Sequence, residues 1–234
     1  MENRPLEYDY SVTKLFMFST VVLGITGMLV GVLLAWEMAF PSINTFLGEG
    51  LAEYTNFSRL RPLHTDSIIY GFVLSGVWAS WYYIGQRVLK VSMAESKFLM
   101  FIGKAHFYTY MFAAVIIVIS LLSGITSSKE YSEFEWPLDV GITVIWVLWG
   151  VSIAGLIGIR REKTIYISIW YFIATFLAVA MLHVFNNMEI PTIFYSGGLG
   201  KWYHSVSMYA GSNDAMVQWW FGHNAVAFVL TTPI

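Results

Sequence analysis

The chain has no cysteine in 234 residues. This excludes disulfides, thiolate metal sites and haem attached covalently through a CxxCH motif. Any haem held here must be bound non-covalently, through His or Met. Charge is also scarce: Asp, Glu, Lys and Arg make up 12% of the residues, and the formal net charge is −2. Without a basic run, nothing in the composition favours nucleic acid as a partner. No internal repeat or low-complexity segment breaks the chain. The first apolar run, Leu15 to Phe40, is too long for a signal-peptide core and lacks a small-residue cleavage site after it.

What replaces these features is apolar length. Hydrophobic residues reach 57% and the mean hydropathy is +0.61, values of a helical membrane protein rather than a soluble globule. The pattern predicts an all-α integral membrane chain with six transmembrane helices in a single domain, residues 1–234, lying in a lipid bilayer. The spans read Leu15 to Ala39, Arg61 to Tyr83, Phe98 to Leu122, Val140 to Ile159, Thr164 to Phe185 and Ala215 to Thr232. In the first, Gly27 and Gly31 form a GxxxG pair that permits close helix contact. The second opens on RPLHT, with Pro62 in a first turn where its missing N–H costs nothing. Between the third and fourth spans lies the acidic loop SSKEYSEFEWPLD. A longer loop, Met188 to Asp214, holds Pro191, His204 and a Gly-rich patch at Gly197 to Gly200. The last span stops at Ile234 without a polar cap, so the chain reads as the N-terminal part of a longer protein.

Loop charge sets the orientation. One set of loops carries Arg4, Lys14, Arg87, Lys90, Lys97, Arg160, Arg161 and Lys163; the other carries Arg59, Arg61, Lys129, Lys201 and most carboxylates. The positive-inside rule places the N-terminus in the cytoplasm. The second and sixth spans then enter from outside. This puts His64 roughly 5 Å and His223 roughly 13 Å into the outer leaflet, at 1.5 Å per residue.

Two histidines on different helices in the same leaflet suggest a cofactor layer. An intramembrane imidazole is costly to leave unpaired, so it marks a functional site by default; the plainer alternative is a helix–helix hydrogen bond. His223 lies in WWFGHNAVAF, where Trp219 and Trp220 could wall a flat cofactor or anchor the helix at the interface.

The stretches RPLHTDSIIYGF and DAMVQWWFGHNAVAF, with the KEYSEFEWPLD loop and the HVFNN segment, resemble the catalytic subunit of cbb3-type (C-family haem–copper) cytochrome c oxidases. The resemblance covers essentially the whole chain but only about the N-terminal half of such a subunit, part of a larger bundle of about twelve helices. It implies that His64 is an axial ligand of low-spin haem b and that Arg61 pairs with haem propionates. It implies that His223 binds the copper ion (CuB) facing a high-spin haem b3, a catalytic position for which imidazole suits copper. It further implies a carboxylate ligand for Ca2+ in the acidic loop, with Glu133 favoured over Glu130 and Glu135. The plain alternative for that loop is a solvated acidic surface.

The implied reaction is reduction of O2 to water in a proton-pumping terminal oxidase of the bacterial inner membrane. Electrons come from cytochrome c through membrane-anchored c-type cytochrome subunits. The remaining ligands and the active-site tyrosine would lie beyond Ile234, so this stretch alone is expected to be inactive. A-type oxidases carry a tyrosine four residues after the copper histidine; here that residue is Ala227. Nitric oxide reductases carry a nearby glutamate, whereas Asn224 to Phe228 contains no carboxylate. A nitric oxide reductase-like subunit and a non-catalytic haem b membrane protein are the rival readings, and a transporter would hold no haem. Asp66 departs from the asparagine common after HT, at a position expected near the interface. His183 is expected to hydrogen-bond a propionate or a partner. His106 is expected to be structural, and Lys104 to snorkel to the near interface.

Overall fold

The computed structural model describes residues 6–45, 48–194 and 202–233. Arg4, the Gly197 to Gly200 patch, Lys201 and Ile234 lie outside the described residues. Helices α1 (Ser11–Ala39), α2 (Glu49–Thr55), α3 (Phe57–Asp66), α4 (Leu74–Val88), α5 (Lys97–Ser123), α6 (Trp136–Gly158), α7 (Ile167–Asn186) and α8 (Ser212–Val226) follow in order. Wide π turns join α3 to α4 at Ser67–Val73 and continue α8 at Ala227–Thr231. Strands β1 (Glu189–Pro191) and β2 (Ser205–Ser207) pair antiparallel, Ile190 opposite Val206.

Five helical stretches among the described residues are long and apolar enough to cross a membrane: α1, the 40-residue run Glu49–Val88, α5, α6 and α7. The sixth predicted span is helical too, but divided. Its α-helical part has 15 residues, opens on Ser212, Asn213 and Asp214, and passes into the π turn. The short hairpin adds β structure that the all-α expectation lacked.

The second span begins earlier than RPLHT suggested. Asn56 caps α3, its side chain accepting from the Arg59 N–H, as short polar side chains do at N-caps. Pro62 therefore lies inside α3 rather than in its first turn. The other boundaries have visible causes. Ser96 caps α5, its side chain accepting from the Leu99 N–H; Pro137 sits in the first turn of α6. At the far end of α5, Gly124 adopts φ +71°, and a Cβ there would collide with the Arg59 guanidinium. That contact sets a cation on the negative end of the α5 dipole.

The core runs through α1, α4, α5, α6 and α7 around Trp78, Trp81, Tyr82 and Trp149, all nearly fully buried. Rings fill it edge to face: Trp78 packs against His106 at 4.6 Å and Tyr110 at 4.9 Å between centroids. His106 is fully buried and bonds Tyr82 Oη at 3.0 Å, as a structural histidine would. Lys104 is exposed. The apolar side chains that α1 leaves bare, such as Phe18, Ile25 and Leu29, suit lipid or further helices.

Candidate functional site

His64 faces the glycine seam of α1. Its Nδ1 lies 2.8 Å from the Gly27 carbonyl. A carbonyl only accepts, so Nδ1 is the donor, and in the neutral imidazole the lone pair then lies on Nε2. A metal-binding histidine is oriented in this way, its second nitrogen donating to a carbonyl. The GxxxG pair makes the approach possible: a Cβ on Gly31 would stand 2.5 Å from His64 Cε1, and one on Gly27 3.0 Å from Ile68 Cδ1 and Ser67 Cβ.

Arg61 lies one turn earlier and reaches the loop between α5 and α6. Its Nη1 donates to Glu130 Oε1 at 2.8 Å and its Nη2 to Glu133 Oε1 at 3.5 Å. These bonds use part of the guanidinium's five donors, so carboxylates hold the arginine while others of its N–H groups stay available for an anion. Glu133 is 7% exposed, and its Oε2 has no partner among the described residues. Burial raises its pKa against the lowering pull of Arg61.

The three calcium candidates do not converge. Glu130 and Glu133 turn to Arg61, whereas Glu135 accepts from the Ser205 N–H at 2.9 Å and pairs with His204 Nδ1 at 2.6 Å. No group of three or more His, Asp or Glu side chains fit to hold a metal occurs among the described residues. Calcium takes six to eight oxygens, and these donors fall well short.

His223 is exposed on α8 and has no hydrogen-bond partner among the described residues. Its neighbour Asn224 is satisfied within the helix, donating to the Trp220 carbonyl at 2.7 Å. The imidazole suits copper in kind, but one such donor is not a copper site. The two histidine-bearing helices meet beyond the histidines, where the π turns pack against each other. π turns inside helices are frequent at functional sites.

The acidic loop braces both helices through Tyr131, a residue with no signal in the sequence. Tyr131 takes φ +62°, uncommon for a side chain of this size. Its carbonyl accepts from Tyr70 Oη at 2.6 Å, and its ring stacks on Trp219 at 6.5 Å, one turn before His223. Trp220 instead meets Phe185. A second brace is Lys129, 1% exposed, whose Nζ lies 3.0 Å from Asp214 Oδ1 at the start of α8. The charge left behind, Asp214, is partly exposed and also accepts from Ser207 Oγ, so Lys129→Met is expected to cost about 1 kcal/mol. Thermal denaturation of the assembled protein checks this; an unchanged Tm would mean that the pair contributes nothing.

Asp66 is buried among the helices. It is 4% exposed, neither carboxylate oxygen has a partner among the described residues, and it lines a cavity of about 100 Å³ with Tyr70, Ser132 and His183. His183 Nε2 donates to the Asp139 carbonyl at 3.0 Å, tying α7 to α6.

The family profile described as Cytochrome C and Quinol oxidase polypeptide I matches residues 11–234. The chain is 43% identical over 224 residues to the cbb3-type cytochrome c oxidase subunit CcoN1 of Stutzerimonas stutzeri, a match covering 96% of this chain and 44% of that protein. It is 36% identical over 225 residues to cytochrome c oxidase subunit 1 of Rhodobacter capsulatus, covering 96% and 40%. Against the bacteroid cytochrome c oxidase subunit 1 homolog of Bradyrhizobium diazoefficiens it is 33% identical over 231 residues, covering 99% and 39%. The chain thus spans less than half the length of these relatives. Matched from the first turn of α1 to Ile234, it belongs to the cytochrome c and quinol oxidase polypeptide I family.

Proposed function

We propose that this chain forms the N-terminal part, as one transmembrane domain of six spans, of the catalytic subunit of a cbb3-type cytochrome c oxidase. The complex sits in a bacterial cytoplasmic membrane with the N-terminus of this chain on the cytoplasmic side, the orientation favoured by the basic loops. It takes electrons from cytochrome c through membrane-anchored c-type cytochrome subunits, reduces O2 to water and pumps protons. The observation that carries this reading is the 2.8 Å bond from His64 Nδ1 to the Gly27 carbonyl, which leaves Nε2 as the ring nitrogen without a hydrogen-bond partner among the described residues.

In this reading low-spin haem b, high-spin haem b3 and copper, when bound, supply electron relay and the site of oxygen reduction. The chain's own residues bind and orient. His64 would hold haem b through Nε2, and Gly27 and Gly31 fix the plane of its ring. Arg61, held by Glu130 and Glu133, presents its remaining donors to a propionate. His223 offers one imidazole to copper, and later helices supply the other ligands. For calcium, Glu133 Oε2 is a buried loop oxygen without a partner among the described residues. It would need donors from outside the described residues.

Haem and metal analysis of the intact complex from its own membranes tests the proposal. Low-spin and high-spin b-type haem with copper is the expected result. Non-haem iron in place of copper would make it a nitric oxide reductase, and haem alone would make it a non-catalytic cytochrome.

A further inference from the structure

The turn that follows His64 owes its shape to a side chain on another helix. In an α-helix the Leu74 N–H would donate to the Tyr70 carbonyl; here it donates to Ile69, one residue further back. The Tyr70 carbonyl is thereby deprived of its helical donor in an interior where unpaired carbonyls are costly. Tyr110 Oη, from α5, takes that place, lying 3.0 Å from the Tyr70 oxygen and 3.2 Å from that of Gly71. The hydroxyl is itself held: Ser75 Oγ lies 2.8 Å away, and Ser19 Oγ of α1 lies 3.3 Å from Ser75 Oγ. With Tyr110 Oη donating to a carbonyl, Ser75 donates to Tyr110. Tyr110, Ser75 and Ser19 are all buried.

We propose that Tyr110 is a positioning residue for His64: its hydroxyl holds the π turn open and so sets the direction in which the imidazole points. The inference rests on His64 as the haem ligand. Each residue of an α-helix turns the chain by about 100°, so one extra residue in the turn changes the angle between His64 and α4 by about that amount. Both ends of the turn are pinned to α1, at Gly27 and Gly31 by His64 and at Ser19 by Ser75. Both contacts persist only while the extra residue is accommodated. The Tyr110 ring fills the core in either case, so phenylalanine keeps the packing and removes only the donor.

The test is Tyr110→Phe in the complete complex, read by amide hydrogen exchange over residues 67–74 and by the electron paramagnetic resonance of the low-spin haem. Faster exchange in that segment, a shifted low-spin signal and turnover lowered about tenfold, the scale of outer-shell changes, are expected. Ser75→Ala, which leaves the hydroxyl but removes its donor partner, should give smaller shifts in the same direction. It decides the matter if Tyr110→Phe does not assemble. Exchange and haem signal both equal to the parent's would overturn the assignment, even with a lowered Tm, because a packing role alone would lower only the Tm. Absence of a low-spin haem from the parent complex would instead overturn the reading of His64.

Discussion

His64→Ala is expected to abolish the low-spin haem absorbance of the assembled complex. The imidazole's hydrogen bond among the described residues is the one from Nδ1 to the Gly27 carbonyl, so its Nε2 is the group this helix offers to iron. Alanine leaves no donor on that face of α3. The neighbouring glycine supplies a graded companion. A methyl group at Gly31 would lie 2.5 Å from His64 Cε1 and 2.9 Å from Nδ1. The ring must swing away and give up its bond to Gly27. Loss of an outer-shell partner typically costs about 10–100-fold in metal affinity or activity, so Gly31→Ala should bind haem weakly where His64→Ala binds none. Gly141→Ala is the control, since a Cβ there meets nothing within 4 Å. Reduced-minus-oxidised spectra of the three variants give the ranking. Full haem content in His64→Ala would remove this residue from the ligand set.

Much of this site could be read from residue type and local spacing, and the remainder was set by tertiary contacts. RPLHT marks Arg61 and His64, and Gly27 and Gly31 announce a close contact, although nothing in the sequence says that the imidazole fills it. The N-cap at Asn56 and Pro137 at the start of α6 are local signals as well, although hydropathy starts the spans at Arg61 and Val140. Tyr110 and Tyr131 were illegible for a different reason. Their partners around Tyr70 lie 40 and 61 positions away, and a tyrosine in an apolar helix or a loop looks the same whether or not its hydroxyl or carbonyl is needed. The π turn is hidden likewise, because one extra residue in a mostly apolar helix leaves no break in its pattern. The acidic loop shows the limit of resemblance: it implies one calcium ligand, Glu133 ahead of Glu130 and Glu135, without saying where each carboxylate turns. The fold turns two to Arg61 and the third to Ser205 and His204.

His223→Ala is expected to remove copper and lower oxygen consumption at least a hundredfold while leaving the low-spin haem in place. The magnitude follows from position, since even outer-shell changes cost about 10–100-fold and this residue is assigned to the inner shell. The selectivity follows from the architecture. His64 is positioned by α1 and the first π turn, whereas α8 packs chiefly on α7 and touches the first π turn at Tyr70, away from His64. The polar groups of α8 also divide in a telling way. Asn224 is satisfied by the Trp220 carbonyl, but the exposed imidazole beside it finds no partner among the described residues. In lipid that arrangement is expensive, and the cost is offset if a metal ion or another helix takes the lone pair. The two cases separate by substitution: glutamine can replace a hydrogen-bonding histidine but is a poor ligand for copper. His223→Gln should therefore be as inactive and copper-free as His223→Ala. Retained copper and turnover in the glutamine variant would reduce His223 to a helix–helix contact.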